Sequence, residues 1–146
     1  KPGTVVFDKL SSWTEHAAPG IRYYSGKAVY RTTFRMDDLP QRRGVALELG
    51  SVRDVGIARV TPNGKDFGVL WLAPFRVDIS GAAKTGENTL EVMAVNSWHN
   101  RVMGDDGLPE DKRFTRTNIR VAKSSKFGWK LEPSGLLGPV RIMVDK

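Results

Sequence analysis

Lys27-Ala-Val-Tyr-Arg-Thr-Thr-Phe-Arg-Met36 carries the pattern on which the fold turns. Ala28, Tyr30, Thr32, Phe34 and Met36 fall on one face of this run, and Lys27, Arg31, Thr33 and Arg35 on the other. Successive side chains of a β-strand point to opposite sides, so a period of two sends one set inward and the other to water. The alternation recurs along the chain. Val45, Leu47 and Leu49 alternate with Ala46 and Glu48, and Phe75, Val77 and Ile79 with Arg76 and Asp78. Leu90, Val92 and Ala94 alternate with Glu91 and Met93, and Val140, Ile142 and Val144 with Arg141 and Met143. Two further strands are expected around residues 55–61 and 67–72.

Turn chemistry separates these runs. Pro62-Asn63-Gly64-Lys65 is the strongest hairpin signal, because Asn-Gly supplies the positive-φ residues of a type I′ turn. Residues 85–88 form another turn, and Pro40 with Gly44 brackets a third. No segment sustains a 3.6-residue period; single helical turns are expected near residues 10–15, 80–84 and 98–104. Seven or eight short strands without long helices predict an all-β fold, an antiparallel β-sandwich with a jelly roll as its expected form.

The 146 residues, 40% of them hydrophobic, suit a single domain over 1–146. With no Cys, a disulfide framework, a thiolate metal site and a Cys nucleophile are all excluded. No stretch approaches the ~20 apolar residues of a membrane-spanning helix, so no membrane partner is expected. Lys and Arg number 23 against 16 Asp and Glu, a net charge of +7. The cations are scattered, and short clusters such as Gln41-Arg42-Arg43 and Lys123 with Lys126 read as solvated faces rather than a phosphate track. Nucleic acid is therefore not an expected partner, whereas an acidic polysaccharide such as a pectin suits the sign of the charge. The opening Lys1-Pro2-Gly3 has neither an initiator Met nor a signal-type apolar region, as expected of a domain cut from a longer polypeptide.

Residues 98–127 break the strand rhythm, and a polar span of that length is the place to look for a site. With His16 and His99 as the two histidines, no zinc spacing exists. Asp105-Asp106-Gly107 with Glu110 and Asp111 offers oxygen ligands, which makes Asp105 and Asp106 candidates for a structural Ca²⁺. The EF-hand spacing is missing, however, and a solvated acidic turn is the preferred reading. No cofactor is otherwise expected. No paired carboxylates, Ser/His/Asp set or phosphate loop can be named, so no catalytic residue is assigned.

Aromatic residues carry more information, because a flat ring stacks on the C–H face of a sugar while polar groups meet its hydroxyls. Trp13, Trp71, Trp98, Trp129, Tyr23 and Tyr24 are the platform candidates, and each competes with a role in the core. Trp98, beside His99, Asn100 and Arg101, combines a stacking face with an amide and a guanidinium. These four, with Trp71 and Tyr24, form the candidate carbohydrate-binding set. The alternative for Asn100 and Arg101 is that they tie the long loop to the sandwich.

Several segments in order resemble a known family. They are residues 20–30, Leu47-Glu-Leu-Gly-Ser-Val52, Asn63-Gly-Lys65 with Leu70-Trp-Leu-Ala-Pro-Phe75, and Gly86-Glu-Asn-Thr-Leu-Glu-Val92. Val95-Asn-Ser-Trp-His-Asn-Arg101 with Gly104-Asp105, and Pro133-Ser-Gly-Leu-Leu-Gly-Pro-Val140, complete the set. The succession resembles the galactose-binding-like sandwich of large glycoside hydrolases. It is similar to the sugar-binding domain of family 2 enzymes and, more so, to the C-terminal sandwich of family 106 α-L-rhamnosidases. That resemblance implies a non-catalytic accessory module of a polysaccharide-degrading enzyme, covalently linked to a separate catalytic domain. It further implies a bacterial parent acting in the periplasm or outside the cell on a plant or algal polysaccharide. A structural interdomain module without a ligand of its own is the alternative.

Overall fold

A computed structural model describes residues 3–39, 44–54, 56–118 and 130–144. Among these residues the chain forms nine strands: β1 (Lys27–Met36), β2 (Val45–Glu48), β3 (Ser51–Arg53), β4 (Ile57–Pro62), β5 (Val69–Leu70), β6 (Arg76–Asp78), β7 (Gly86–Val95), β8 (Gly135–Gly138) and β9 (Arg141–Val144). Two short helices join them, α1 (Pro19–Arg22) and α2 (His99–Asp105), with 3-10 turns at Trp13–Glu15 and Glu110–Lys112.

A four-stranded sheet runs β1-β7-β4-β5, a three-stranded sheet β6-β2-β9, and β3 pairs with β8. Every strand pair is antiparallel, and the sheets are open, as in a β-sandwich. The period-two pattern explains the core. Leu90, Val92 and Ala94 from β7, with Ala58 and Val60 from β4, are buried together with Val45 and Leu47 of β2, Leu49 and Ile79. Ala46 is buried too, although it lies on the opposite face of β2 from Val45 and Leu47. That strand is flanked on both sides, by β6 and β9.

One end of the sandwich is sealed by Trp13, whose indole Nε1 donates to the Tyr30 hydroxyl. The same oxygen accepts from Leu136 N at 3.1 Å. Burial pushes the Tyr30 phenol up, partly offset by these two donors.

The Asn63-Gly64 tip adopts φ values of 46° and 76°, the left-handed pair that a type I′ turn requires. The strand expected around residues 67–72 narrows to Val69–Leu70, at the edge of its sheet. Phe67 N and Gly68 O instead bond Val60 outside the regular ladder. Near residues 80–84 the expected single turn is present, with Ala82 N and Ala83 N both donating to Ile79 O at 2.9 Å. The segment around 98–104 is helical as expected, while α1 carried no periodic signal, being four residues long. Pro40, the basic clusters at 41–43 and 123–126, Val55 at the start of the expected fourth strand, Phe127 and Trp129 lie outside the described residues.

Candidate functional site

Register places one end of the four-stranded sheet in focus. Val95, the last residue of β7, pairs with Lys27 on one side and Ile57 on the other. Ala58 pairs with both Ala94 and Leu70, so Trp71 follows β5 at the level where β4 begins and β7 ends. Strands lie ~4.8 Å apart, so β5 and β7 are separated by about 10 Å across β4. Tyr24, Asp54, Trp71 and Trp98 thus belong to segments that meet at one end of the sandwich.

The turn leaving β7 is held by short polar side chains. Asn96 is buried; its Oδ1 accepts from Gly26 N at 2.8 Å, and its Nδ2 donates to Tyr24 O at 2.7 Å. The Ser97 amide and hydroxyl both donate to Asp54 Oδ2 at 2.9 Å. Ser97 Oγ also accepts from His99 N at 3.2 Å and so satisfies a free donor of the first turn of α2.

The Trp98-His-Asn-Arg101 to Gly104-Asp105 motif is thereby explained residue by residue. Asn100 is fully buried and grips the main chain of Glu132 from both sides. Its Nδ2 donates to Glu132 O, and its Oδ1 accepts from Glu132 N, both at 2.8 Å. His99 Nε2 meets Lys130 O at 2.8 Å. Arg101 Nη2 lies 2.9 Å from Asp105 Oδ1, an ion pair by distance without the alignment of a hydrogen bond. The Arg101 guanidinium sits 5.6 Å from the Tyr23 ring and 4.6 Å from the Phe114 ring, a cation–π arrangement. A Cβ on Gly104 would come within 2.5 Å of Tyr23 Cγ and 2.6 Å of Arg101 Nη2, so only glycine fits here.

Asp105 is buried, and its Oδ2 accepts from Thr115 N and Oγ1 at 2.7 Å and from Phe114 N at 3.1 Å. Burial alone would push this carboxyl up. The Thr115 and Phe114 donors, with the charge of Arg101, outweigh burial and hold it below the ordinary carboxylate range. These bonds already engage the carboxylate that the sequence offered to Ca²⁺. Among the described residues no group of three metal-ligating side chains converges.

Of the candidate platforms, Trp71 is 70% exposed and Trp98 49%. Leu72 and Val69 are exposed beside Trp71. Tyr24 is half-buried, edge-on to Trp13, and donates its hydroxyl to Lys27 O at 2.8 Å. Trp13 lies in the core, and Tyr23 covers Arg101. The sequence signal missed Asp54, a residue at φ 71° that fixes the approach to α2; nothing in its neighbours Arg53 and Val55 marks that role.

No family model matches the chain. Over 96% of its length, and 162 aligned positions, it is 41% identical to a candidate beta-glucuronidase of Formosa agariphila. Its structure matches that of a rhamnosidase from Novosphingobium sp. PP1Y with a TM-score of 0.85 and 36% identity over 99% of the chain. A beta-glucuronidase of Ruminococcus gnavus matches 65% of the chain with a TM-score of 0.55 and 26% identity. The chain spans 14%, 13% and 16% of these three proteins, respectively. By sequence and by fold, this chain is a small β-sandwich domain of the kind contained within large glycoside hydrolases.

Proposed function

We propose that this chain is a non-catalytic, carbohydrate-recognising accessory domain of a polysaccharide-degrading glycoside hydrolase. The observation that carries this reading is the placement of two exposed indoles, Trp71 and Trp98, at the same end of the four-stranded sheet. Exposed tryptophans offer stacking faces for sugar rings, and a rigid sheet fixes the bases of the segments that present them. The catalytic carboxylates would belong to a separate, covalently linked domain of a bacterial enzyme acting in the periplasm or outside the cell. The matched proteins are named as a rhamnosidase and a beta-glucuronidase, which makes a rhamnoside and a glucuronide the two sugars to test; the parent enzyme would meet them in a plant or algal polysaccharide. No cofactor takes part in this function.

Binding of the chain to a panel of immobilised glycans, paired with thermal melting, tests the reading. Trp98→Ala and Trp71→Ala should each weaken binding about tenfold, the equivalent of roughly 1–1.5 kcal/mol of lost stacking, with the melting temperature unchanged. Undiminished binding in both variants would move the site elsewhere.

A second reading has an observation of its own. Asn100 and Arg101, the polar groups expected to meet sugar hydroxyls, are engaged in holding α2 against residues 130–134 and Phe114. They suit a structural module that buttresses a catalytic domain. Absence of any glycan binding, with Arg101→Ala lowering the melting temperature, would favour this second role.

A further inference from the structure

Beside the turn that carries Trp98 lies an open cleft of about 330 Å³ lined by Val52, Arg53, Asp54, Glu132 and Pro133. Its size falls at the low end for small-ligand pockets, which suits one sugar unit rather than a long chain segment. The walls belong to rigid parts of the fold. Val52 and Arg53 pair with Leu136 and Gly135 across the β3–β8 ladder, and the Glu132 backbone is clamped by Asn100. Asp54 is fixed in the left-handed region by the two Ser97 donors to its Oδ2. Ser97 thus ties one flank of Trp98 to the first wall, and Asn100 ties the other flank to the second. The cleft and the half-exposed indole share one scaffold.

The chemistry of the lining is mixed. Among the described residues the Arg53 guanidinium and the Glu132 carboxylate have neither hydrogen bond nor ion pair, although both line the same cleft. A guanidinium presents several donors in one plane, and two carboxylates offer acceptors; together they match the adjacent hydroxyls of a pyranose ring. Pro133 adds an apolar wall for ring C–H groups. Among the described lining residues two carboxylates stand against one guanidinium, in a domain whose total charge is +7.

We propose that this cleft is a subsite for a neutral pyranose unit and discriminates against uronates. This rests on the carbohydrate-binding reading above and adds the selectivity of the site. Arg53 donates to ring hydroxyls, Asp54 and Glu132 accept from them, and the same carboxylates repel the carboxylate of a uronic acid. Salt screens the domain's more distant charges over ~8–10 Å at physiological strength, whereas Asp54 and Glu132 line the cleft itself.

Titration of the chain with methyl α-L-rhamnoside and methyl β-D-glucuronide, followed by amide NMR shifts at about 150 mM salt, tests the proposal. The rhamnoside should perturb residues 52–54 and 132, and the glucuronide should bind at least about tenfold more weakly. Arg53→Ala and Glu132→Gln should each reduce rhamnoside affinity about tenfold without changing the melting temperature, since both residues are exposed. Glu132→Gln should also narrow the gap between the two sugars, a change that a merely structural role would not produce. Equal binding of the two sugars, or unaltered rhamnoside affinity in both variants, overturns the subsite. If affinity falls only in Trp71→Ala and Trp98→Ala, the cleft is excluded while carbohydrate recognition stands. If the wild-type chain binds neither sugar, the subsite is excluded, and binding to the glycan panel decides the carbohydrate reading separately.

Discussion

At the residue scale, Asn100 shows how one side chain substitutes for a stretch of ladder. Its amide bonds the N–H and C=O of Glu132, as a neighbouring strand would, at a point where the backbone has left the sheets. Asn100→Ala strands two main-chain groups and should destabilise the domain by about 2–4 kcal/mol, lowering the melting temperature by roughly 5–12 °C. A melting scan that shows no shift would demote the clamp. Asp105 makes a different demand, because its contribution depends on charge. Its folded pKa lies below the ordinary value, so its stabilisation is complete above the unfolded value of about 3.9. The stabilisation is lost as pH falls through the lower folded value. Asp105→Asn should therefore lower the melting temperature at neutral pH, with a deficit that shrinks in acid; a deficit independent of pH would mean that the charge is irrelevant. The identities of these residues were legible from the motif, but their duty was not. An Asn beside a Trp and an Arg reads equally as a sugar contact or a clamp until the distance to residue 132, far along the chain, is known.

At the element scale, the strands with clean alternation were readable because burial on one face alone dictates a period of two. β7, ten residues long and paired on both sides, holds its pattern throughout. Short elements were less legible: β5 keeps two residues, and α1 is a single turn whose Ile21 is its one buried side chain. The β4–β5 connection was legible from Asn63-Gly64, yet its reach was not. Asn63 does more than turn, since its amide nitrogen donates to Ala82 O and Asn88 Oδ1 at 2.8 Å and its Oδ1 accepts from Thr89 N at 2.9 Å. Its own N–H donates to Thr89 O at 2.9 Å. Asn63→Pro removes that donor and forbids the positive φ together, and should cost about 3 kcal/mol or more. Denaturant unfolding would register this as a lower midpoint. Asn63→Gly, which keeps the φ but loses the side-chain bonds, should fall between the two. A proline variant as stable as the wild type would contradict the turn geometry.

At the scale of the whole molecule, the sign of the net charge was legible from the residue count, while its meaning depends on where the charges fall. Three surface cations, Arg31, Arg35 and Arg59, are paired with Glu91, Asp37 and Asp66. The Arg59 guanidinium holds the Asp66 carboxyl down to about 2. Such exposed pairs add little stability, but they neutralise part of the excess on the strands that bear them. The cleft beside Trp98 is lined by Arg53 against Asp54 and Glu132, so among the described residues its own lining carries no positive excess. A ligand held by stacking and neutral hydrogen bonds feels no net ion pairing, and its affinity should change less than about twofold between roughly 50 and 500 mM salt. An anionic polymer captured by the scattered surface cations would instead weaken steeply over that range, because salt screens exposed charges within about 10 Å at 0.1 M. Isothermal titration of one neutral oligosaccharide and one polyuronate across that range of salt separates the cases. A salt-sensitive neutral glycan would place its site on the charged faces of the strands rather than at the Trp98 end, and would turn the +7 from a property of solubility into one of recognition.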